Sequence, residues 1–255
     1  MTITIEDRDA VRVLRFARPE RRNAITAQMY AQLADALECA ATAEAVQVVL
    51  VTGSDEAFTA GNALADFLEE PPTGPEAPVF RFLVALSSFP KPLIAAVCGP
   101  AVGVGTTMLL HCDLVYAGDN ARFALPFVHL GLCPEGASSY LLPAIVGYQR
   151  AAEKLLLGEP FDAAEAREMG LVNGVFAPSE TEAHAFEQAR KLATRPSSSL
   201  LATKALLKSS SAAIVREQMN EEGRHFLRML GEPAAREAFR AFLEKRPADF
   251  STLDR

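Results

Sequence analysis

The alternation of apolar and polar residues predicts a strand-rich start to the chain. Thr2–Glu6 and Val11–Phe16 are short β-rich runs separated by a turn that contains aspartate, which is typical of a hairpin. Thr26 is placed to cap a helix with an apolar side at helical spacing, and the apolar run Val46–Val51 follows that helix. A strand, a crossover helix and a second, buried strand favour parallel pairing.

The pattern continues through the middle of the chain and then becomes helical. It predicts a helix over Val79–Ser88, a buried strand over Leu93–Val97 and a strand over Asp113–Ala117. The Pro-rich segment Leu68–Pro78 is expected to be a surface loop. From Glu135 onward helix signals replace strand signals, so we expect one α/β core followed by C-terminal helices.

Capping patterns mark the beginnings and ends of the later helices. Asp162 with Glu165, and Ser179 with Glu182, have the spacing of capping boxes. Gly170 stands where a helix is expected to stop. We therefore expect one helix to begin after Asp162 and another after Ser179.

Composition indicates a globular chain without a nucleic-acid partner. Hydrophobic residues make up 49% and charged residues 22% of the 255 positions, which excludes a disordered or collagen-like chain. The net charge of -7 lacks the basic excess that binding a phosphate backbone requires. Four separated cysteines without a CxxC pair predict reduced thiols, and the start of the chain lacks a signal-peptide pattern, so a cytoplasmic location is expected.

One uncharged segment, Pro92–Cys112, has about the length of a membrane span. Proline and glycine interrupt it, at Pro100, Gly103 and Gly105 among other positions. Two short buried elements joined by a turn are therefore expected instead of a spanning helix.

Two glycine-containing turns that follow buried strands are candidates for ligand binding. AFTAGNAL (Ala57–Leu64) and GPAVGVGTTMLL (Gly99–Leu110) have small residues that let backbone N–H groups approach a ligand. Ordinary strand-to-helix connections are the alternative. A dinucleotide site is disfavoured, because the spacing Gly103, Gly105, Met108 lacks the third glycine. Paired amides from the two turns can form an oxyanion hole.

A general base for such a site must come from a few nearby titratable residues. The candidates are His111, Asp113, Asp119, His129 and Glu135. The run from His111 to Asp113 offers metal-ligand atoms, but consecutive residues point in different directions and no second cluster accompanies them, so no metal is predicted. Glu135 is expected at a helix start, where the helix dipole alone favours an acid, so a structural and a catalytic role both stay open.

Four segments, taken in order, resemble the crotonase, or enoyl-CoA hydratase/isomerase, superfamily. They are RPERRNAIT from Arg18, AFTAGNAL from Ala57, KPLIAAVCGPAVGVGTTMLLHCDLVYA from Lys91 and FALPFVHLGLCPEGASSYLLP from Phe123. The resemblance covers nearly the whole chain. It implies a crotonase-like spiral of ββα turns over residues 1–195, followed by a helical region, 196–255, that mediates trimers and often hexamers. It also implies an acyl-CoA thioester substrate and no cofactor beyond the CoA of that substrate.

The resemblance implies roles for particular residues. The thioester oxygen is held by the backbone N–H groups of Asn62 and Val104, and CoA contacts Arg21, Arg22 and Ala60. A solvated surface pair stays the alternative for the two arginines.

Departures from the hydratase pattern bear on the reaction. Hydratases of this family use two glutamates, and Thr107 and Phe127 stand at those positions, where neither exchanges a proton near neutral pH. PFVHLGLCPEGASSY resembles the peroxisomal-type Δ3-Δ2-enoyl-CoA isomerases, in which one glutamate works alone, and Glu135 occupies its position. Phe127 and Leu132 are expected to line the acyl pocket and to give that carboxyl group an apolar surround.

The expected activity is therefore movement of a double bond from C3 to C2 of an enoyl-CoA, with Glu135 as the base. Two alternatives stay open. One is hydration or another crotonase reaction, and the other is a non-catalytic protein that binds acyl-CoA.

Overall fold

Two β-sheets organise the computed structural model, which describes residues 2–64, 71–74 and 76–251. The strands are β1 (Ile3–Arg8), β2 (Val11–Phe16), β3 (Val48–Thr52), β4 (Leu93–Val97), β5 (Pro100–Val102), β6 (Leu114–Gly118), β7 (Arg122–Ala124), β8 (Phe161–Asp162) and β9 (Gly174–Phe176). The larger sheet has the order β1-β2-β3-β4-β6-β9, and the smaller has the order β5-β7-β8. In the larger sheet β1 and β2 are antiparallel, and every other neighbouring pair is parallel.

Helices surround the sheets and fill most of the second half of the chain. They are α1 (Ala27–Thr42), α2 (Pro78–Ser87), α3 (Val104–Thr107), α4 (Ser138–Val146), α5 (Tyr148–Leu157), α6 (Ala163–Glu168), α7 (Pro178–Ala193), α8 (Ser197–Ser209), α9 (Ala212–Leu230) and α10 (Pro233–Glu244). Short 3-10 turns lie at Pro19–Arg21, Met108–His111 and Phe127–Leu130. The predicted α/β core followed by helices is confirmed.

Strands β3 and β4 are buried along their whole length, because helices cover both faces of the larger sheet. Val49 and Val51 belong to the core on the side of α1 and α2. Val48 and Leu50, on the opposite face, pack with Ala185 of α7. Burial on both faces explains why these strands are uninterrupted apolar runs and do not alternate.

Two of the predicted caps are confirmed. The Thr26 side chain accepts a hydrogen bond from the Met29 amide at 3.2 Å, and α1 begins at the next residue. The Asp162 side chain accepts from the Glu165 amide at 2.9 Å and starts α6. Each satisfies an N–H group that would otherwise have no partner in the first helical turn.

The predicted cap at Ser179 is wrong. Helix α7 begins at Pro178, its N-cap residue is Ala177, and no side chain caps it. Proline is favoured in the first helical turn because it has no N–H to satisfy, so the helix starts before the serine. The Glu182 carboxylate, the other half of the expected capping box, forms an ion pair with Arg15 on β2 at 2.6 Å.

The uncharged segment Pro92–Cys112 forms β4, β5, α3 and the 3-10 turn Met108–His111, as short buried elements joined by turns. No helix among the described residues combines the length and apolar character needed to cross a membrane. The predicted loop Leu68–Pro78 lies partly outside the described residues. The division into residues 1–195 and 196–255 stays a prediction.

Candidate active site

The two glycine-containing turns lie against each other, as an oxyanion hole requires. Thr59 and Ala101 form an isolated parallel bridge, which places one turn beside β5. A Cβ atom added at Gly61, where φ is +84°, would lie 2.7 Å from the Val102 carbonyl oxygen. A Cβ atom added at Gly105 would lie 2.7 Å from the Thr59 Cγ2 atom. The small residues therefore permit this close approach of two backbones.

The Asn62 amide is directed away from its neighbouring strand. Ile25 and Asn62 form a parallel bridge in which the Ile25 amide donates to Gly61 and the Ala63 amide donates to Ile25. This pattern uses the groups on either side of Asn62 and leaves its own N–H on the opposite side.

The Val104 amide begins the short helix α3, after Gly103 with φ of 55°. Within the described residues, neither this amide nor that of Asn62 donates a hydrogen bond to the protein. The two N–H groups that the resemblance selected are thus both available to a ligand oxygen.

A cavity of about 670 Å³ opens in front of these two amides. Its wall contains six of the residues predicted for the site: Arg21, Ala60, Asn62, Val104, Phe127 and Leu132. Phe226, Phe239 and Phe242 from α9 and α10 add an aromatic side to the wall. The cavity is therefore mostly apolar, with Arg18 and Arg21 as charged residues in its lining.

Two predicted site residues, Arg22 and Glu135, do not line this cavity. Arg22 is exposed and has a left-handed backbone, and its carbonyl oxygen accepts a hydrogen bond from the Ala60 amide at 2.9 Å. Arg18, for which the resemblance implies no role, lines the cavity together with Arg21. The CoA-binding roles of Arg21, Arg22 and Ala60 stay predictions.

Glu135 lies on the turn that precedes α4 and does not line the cavity. Only 7% of the residue is exposed, and its Oε1 atom accepts a hydrogen bond from the Thr107 hydroxyl at 2.6 Å. Thr107 and Val104 belong to the same short helix, so that helix connects the carboxyl group to one of the two available amides. The predicted helix start at Glu135 is displaced, because α4 begins three residues later, at Ser138.

Burial has a large effect on the Glu135 carboxyl group. Loss of hydration, together with the nearby charge of Glu222, raises the pKa of Glu135 from 4.5 to about 7, and the hydrogen bond from Thr107 opposes this rise. No second hydrogen bond to this carboxyl group comes from the described residues. A pKa near neutrality is what a general base needs in order to take up and release a proton at neutral pH.

Tyr30 contacts the first of the two glycine-containing turns. Its hydroxyl group donates a hydrogen bond to the Asn62 side chain, and it is 1% exposed. Burial, and secondarily the charge of Glu135, raises the pKa of Tyr30 well above 10, so the phenol stays protonated. No local pattern in the sequence indicates this contact, since 32 positions separate the two bonded residues.

Several backbone groups fix the turn that carries Glu135. The Glu135 carbonyl oxygen accepts from the Ser138 hydroxyl at 2.6 Å, and the Gly136 carbonyl oxygen lies 2.8 Å from His111 Nε2. Burial lowers the pKa of His111 to about 4, so this ring is neutral at neutral pH and its Nε2 carries the hydrogen that the carbonyl accepts. His111 therefore supports the turn and is unsuited to be the base.

The other candidate bases do not line the cavity and make no hydrogen bond to Glu135 within the part of the chain that the structure describes. His129 and Asp119 are exposed, and Asp113 accepts hydrogen bonds from Lys204 Nζ and the Leu93 amide, each at 2.7 Å. Among the residues that the structure describes, no group of three or more histidine, cysteine, aspartate or glutamate side chains could hold a metal ion.

Comparison with known proteins places the chain in a family. The model of the enoyl-CoA hydratase/isomerase family matches residues 6–252. The crystal structure of an enoyl-CoA hydratase/isomerase from Pseudoalteromonas atlantica T6c is 41% identical with a TM-score of 0.93, covering 98% of this chain and 100% of that one. The chain belongs to the enoyl-CoA hydratase/isomerase family and has the crotonase-like spiral fold.

The names of two curated relatives describe different reactions. Human enoyl-CoA delta isomerase 2 is 37% identical over 214 residues, 81% of this chain and 54% of the relative. The chain thus spans about half the length of that isomerase. The 2,3-dehydroadipyl-CoA hydratase of Escherichia coli K12 is 34% identical over 249 residues, 97% of this chain and 98% of the relative. Family membership therefore does not choose between isomerisation and hydration.

Proposed function

We propose that the protein is an enoyl-CoA isomerase that moves a double bond from C3 to C2 of an acyl-CoA thioester, with Glu135 as its only acid-base group. The observation that carries this proposal is the buried carboxyl group of Glu135, which is hydrogen-bonded to the short helix that begins at the available Val104 amide. The partner of that carboxyl group is the Thr107 hydroxyl, which stands where a hydratase has a glutamate. Phe127, at the other such position, lines the cavity.

The proposed reaction begins when the thioester oxygen accepts hydrogen bonds from the Asn62 and Val104 amides. Glu135 then removes a proton from C2, and the electrons of the C–H bond pass into a dienolate whose negative charge lies on that oxygen. Preorganised amides stabilise such charge and contribute on the order of a hundredfold to a thousandfold each. The carboxylic acid returns the proton to C4, which leaves the double bond between C2 and C3 and restores the carboxylate.

This reaction requires the Glu135 side chain, which does not line the cavity, to reach the reacting carbons when the substrate is bound. The carboxyl oxygen Oε2, which accepts no hydrogen bond from the described residues, is the atom proposed to take the proton. Thr107 holds the other oxygen and so fixes the direction of Oε2. No cofactor beyond the CoA of the substrate takes part in the proposed steps.

A comparison of two substrates tests the proposal. The purified protein should convert a 3-enoyl-CoA to the 2-enoyl-CoA, measured by ultraviolet absorbance of the conjugated thioester. Formation of 3-hydroxyacyl-CoA from a 2-enoyl-CoA, measured by liquid chromatography, should stay near background because a second acid-base side chain is lacking. Rapid hydration would contradict the proposal, and binding of acyl-CoA without either reaction would favour a non-catalytic role.

A labelled substrate tests the use of one base. A 3-enoyl-CoA that carries deuterium at C2 should give product with part of that deuterium at C4, because a buried carboxylic acid returns the proton it has just taken. Mass spectrometry of the product measures this transfer. Complete loss of the removed deuterium to water would show that the acid exchanges with solvent before it returns a proton, and would take away this support for a single base.

A further inference from the structure

A second buried glutamate, Glu222 on α9, contacts the turn that carries Glu135. Only 5% of Glu222 is exposed. Its Oε2 atom accepts from the Ala137 amide at 2.6 Å, and its Oε1 atom accepts from the Ser139 amide at 2.9 Å and from the Ser139 hydroxyl. One carboxylate therefore uses both oxygens to bind Ala137 and Ser139, which follow Glu135 by two and four positions.

The turn needs such a partner, because its backbone is unusual and it lacks a cap of its own. Gly136 and Ala137 are consecutive left-handed residues, with φ of 69° and 57°. The left-handed conformation is unfavourable for alanine and persists only where surrounding contacts stabilise it. Ala137 is also the N-cap residue of α4 and has no side-chain acceptor for the first helical amides. Glu222 supplies that acceptor from another helix.

Helix α9 makes a second contact with the same turn. Gln218, one helical turn before Glu222, donates from Nε2 to the Ser139 hydroxyl oxygen at 2.8 Å. Ser139 is thus held by two side chains on one face of α9. The contact joins residues about 80 positions apart in the sequence, so it fixes the C-terminal helices to the turn.

We propose that Glu222 is a positioning residue for Glu135: by binding the Ala137 and Ser139 amides, it holds the left-handed turn that directs the Glu135 carboxyl group to Thr107. The proposal rests on the proposed function, since the group that Glu222 positions is the proposed base. Glu222 itself does not line the cavity and is assigned no contact with substrate.

The charge of Glu222 adds an effect that a purely structural contact would not have. It raises the pKa of Glu135, after the larger effect of burial. The other titratable side chains around Glu135 are Tyr30 and His111, both uncharged near neutral pH, and Cys133, whose pKa burial raises to about 11. Glu222 is therefore the neighbouring charge to which the pKa of Glu135 should respond.

Burial also raises the pKa of Glu222, while its hydrogen bonds from Ser139 and Ala137 lower it. Three donors directed at two oxygens match a carboxylate, which accepts and does not donate. An amide at the same position has one accepting oxygen, and its NH2 group would face one of these donors. Glu222→Gln therefore disturbs the hydrogen bonds to Ala137 and Ser139 and also removes the negative charge.

The test compares Glu222→Gln with Glu221→Gln, the matched control. Glu221 is the preceding residue on the same helix, and its carboxylate pairs with Arg224 and His225 on the other side. We expect Glu222→Gln to lower kcat by about tenfold to a hundredfold, since small misplacement of a reacting group costs up to about that much. KM should change less than about threefold, and the low-pH limb of the rate profile should move to lower pH. Glu221→Gln should behave as wild type.

A direct titration keeps the test independent of turnover. Carbon-13 NMR of the glutamate side chains measures the pKa of Glu135, identified by the signal that Glu135→Gln removes. This pKa should fall in Glu222→Gln and stay unchanged in Glu221→Gln. An unchanged pKa and an unchanged kcat in folded Glu222→Gln would overturn the proposal.

Two further variants cover other outcomes. Should Glu222→Gln fail to fold, Ser139→Ala removes one donor and the Gln218 contact, keeps the Glu222 charge, and should lower kcat several-fold without moving the low-pH limb. Wild-type kcat in Ser139→Ala would then count against positioning. Loss of turnover in Glu135→Gln together with wild-type behaviour of Glu222→Gln would reject this inference alone. Retained turnover in Glu135→Gln would reject the proposed function itself.

Discussion

Glu135 and Glu222 are both buried, both belong to the same small region, and burial raises the pKa of both. They differ in their hydrogen bonds. Glu135 accepts one bond within the described residues, from a hydroxyl group, whereas Glu222 accepts three, two of them from backbone amides. Burial alone therefore does not distinguish a base from a structural acid. The fixed donors do, because they occupy three of the roughly four lone-pair sites of the Glu222 carboxylate, on both of its oxygens, whereas Glu135 keeps one oxygen without a hydrogen bond from the described residues.

The element that carries each glutamate agrees with this distinction. Glu135 lies on an irregular turn beside α3, whose first amide is available to a ligand, while Glu222 lies in the middle of a 19-residue helix. The helix keeps the backbone of Glu222 rigid, and the turn depends on contacts from other elements. The following predictions test whether the two carboxylates have the separate roles proposed for them.

The largest effect is expected for Glu135→Gln. This variant keeps the shape of the side chain and removes its ability to take a proton, so kcat should fall by at least about a hundredfold. Steady-state assays with a 3-enoyl-CoA measure the loss, and circular dichroism checks the fold. A rate within a few-fold of wild type would remove Glu135 from the mechanism.

The double variant Glu135→Gln/Glu222→Gln sharpens this result. If Glu222 acts through Glu135, adding Glu222→Gln to Glu135→Gln should lower kcat little further. The two losses in kcat should therefore not multiply. Fully multiplied losses would show that Glu222 affects catalysis by another route.

The stability of the protein should also depend on Glu135. A carboxyl group with a pKa of about 7 when folded, and an ordinary value of 4.5 when unfolded, binds more protons in the folded state between those pH values. The free energy of unfolding should therefore decrease as pH rises from about 4.5 to about 7, by up to about 3 kcal/mol from this group. Glu135→Gln should lose this dependence in urea unfolding at pH 5 and pH 8, and Glu221→Gln should keep it.

The pH dependence of catalysis reports the same group. The base must be ionised to remove the C2 proton, so kcat/KM should decrease about tenfold per unit of pH below about pH 7 and level off above it. Rate measurements from pH 5 to pH 9 give this profile. A limb near pH 4.5 would mean that the carboxyl group is hydrated and not buried when it reacts.

The smallest effect is expected for Thr107→Val. Its hydroxyl group stabilises the ionised carboxylate, so removal of the hydroxyl should raise the pKa of Glu135 and move the low-pH limb to higher pH. This shift is opposite to that expected for Glu222→Gln. Turnover at neutral pH should fall by about tenfold, the usual cost of one hydrogen bond to a charged group. Thr107→Ser keeps the hydroxyl and serves as the control.

Local patterns predicted those parts of the fold that depend on neighbouring residues. Leu93–Val97 is a strand with the predicted limits, and Thr26 caps α1, because an apolar run and a cap need only a few adjacent residues. Ser179 shows the limit of this reasoning. The proline before it starts α7 earlier, and the expected partner Glu182 pairs with Arg15 from the start of the chain.

In the candidate site, too, local sequence patterns identify some residues and miss those whose contacts are distant in the sequence. Asn62 and Val104 could be found because each lies in a glycine-containing turn with a recognisable sequence. Tyr30 and Glu222 could not be found, since their contacts join residues 32 and 83 or more positions apart. The sequence marks Thr107 only as the loss of a glutamate, because its contact with Glu135 depends on the packing of α3 against the turn before α4.

The origin of the cavity wall has a consequence for synthesis of the protein. One side comes from residues 18 to 64, another from residues 102 to 132, and the aromatic side from residues 226 to 243. On the ribosome, the sheet and the paired turns can assemble while α9 and α10 are still being synthesised. A chain arrested before translation of Phe226 should therefore be unable to hold the ligand, and binding competence should arise only as α9 and α10 emerge.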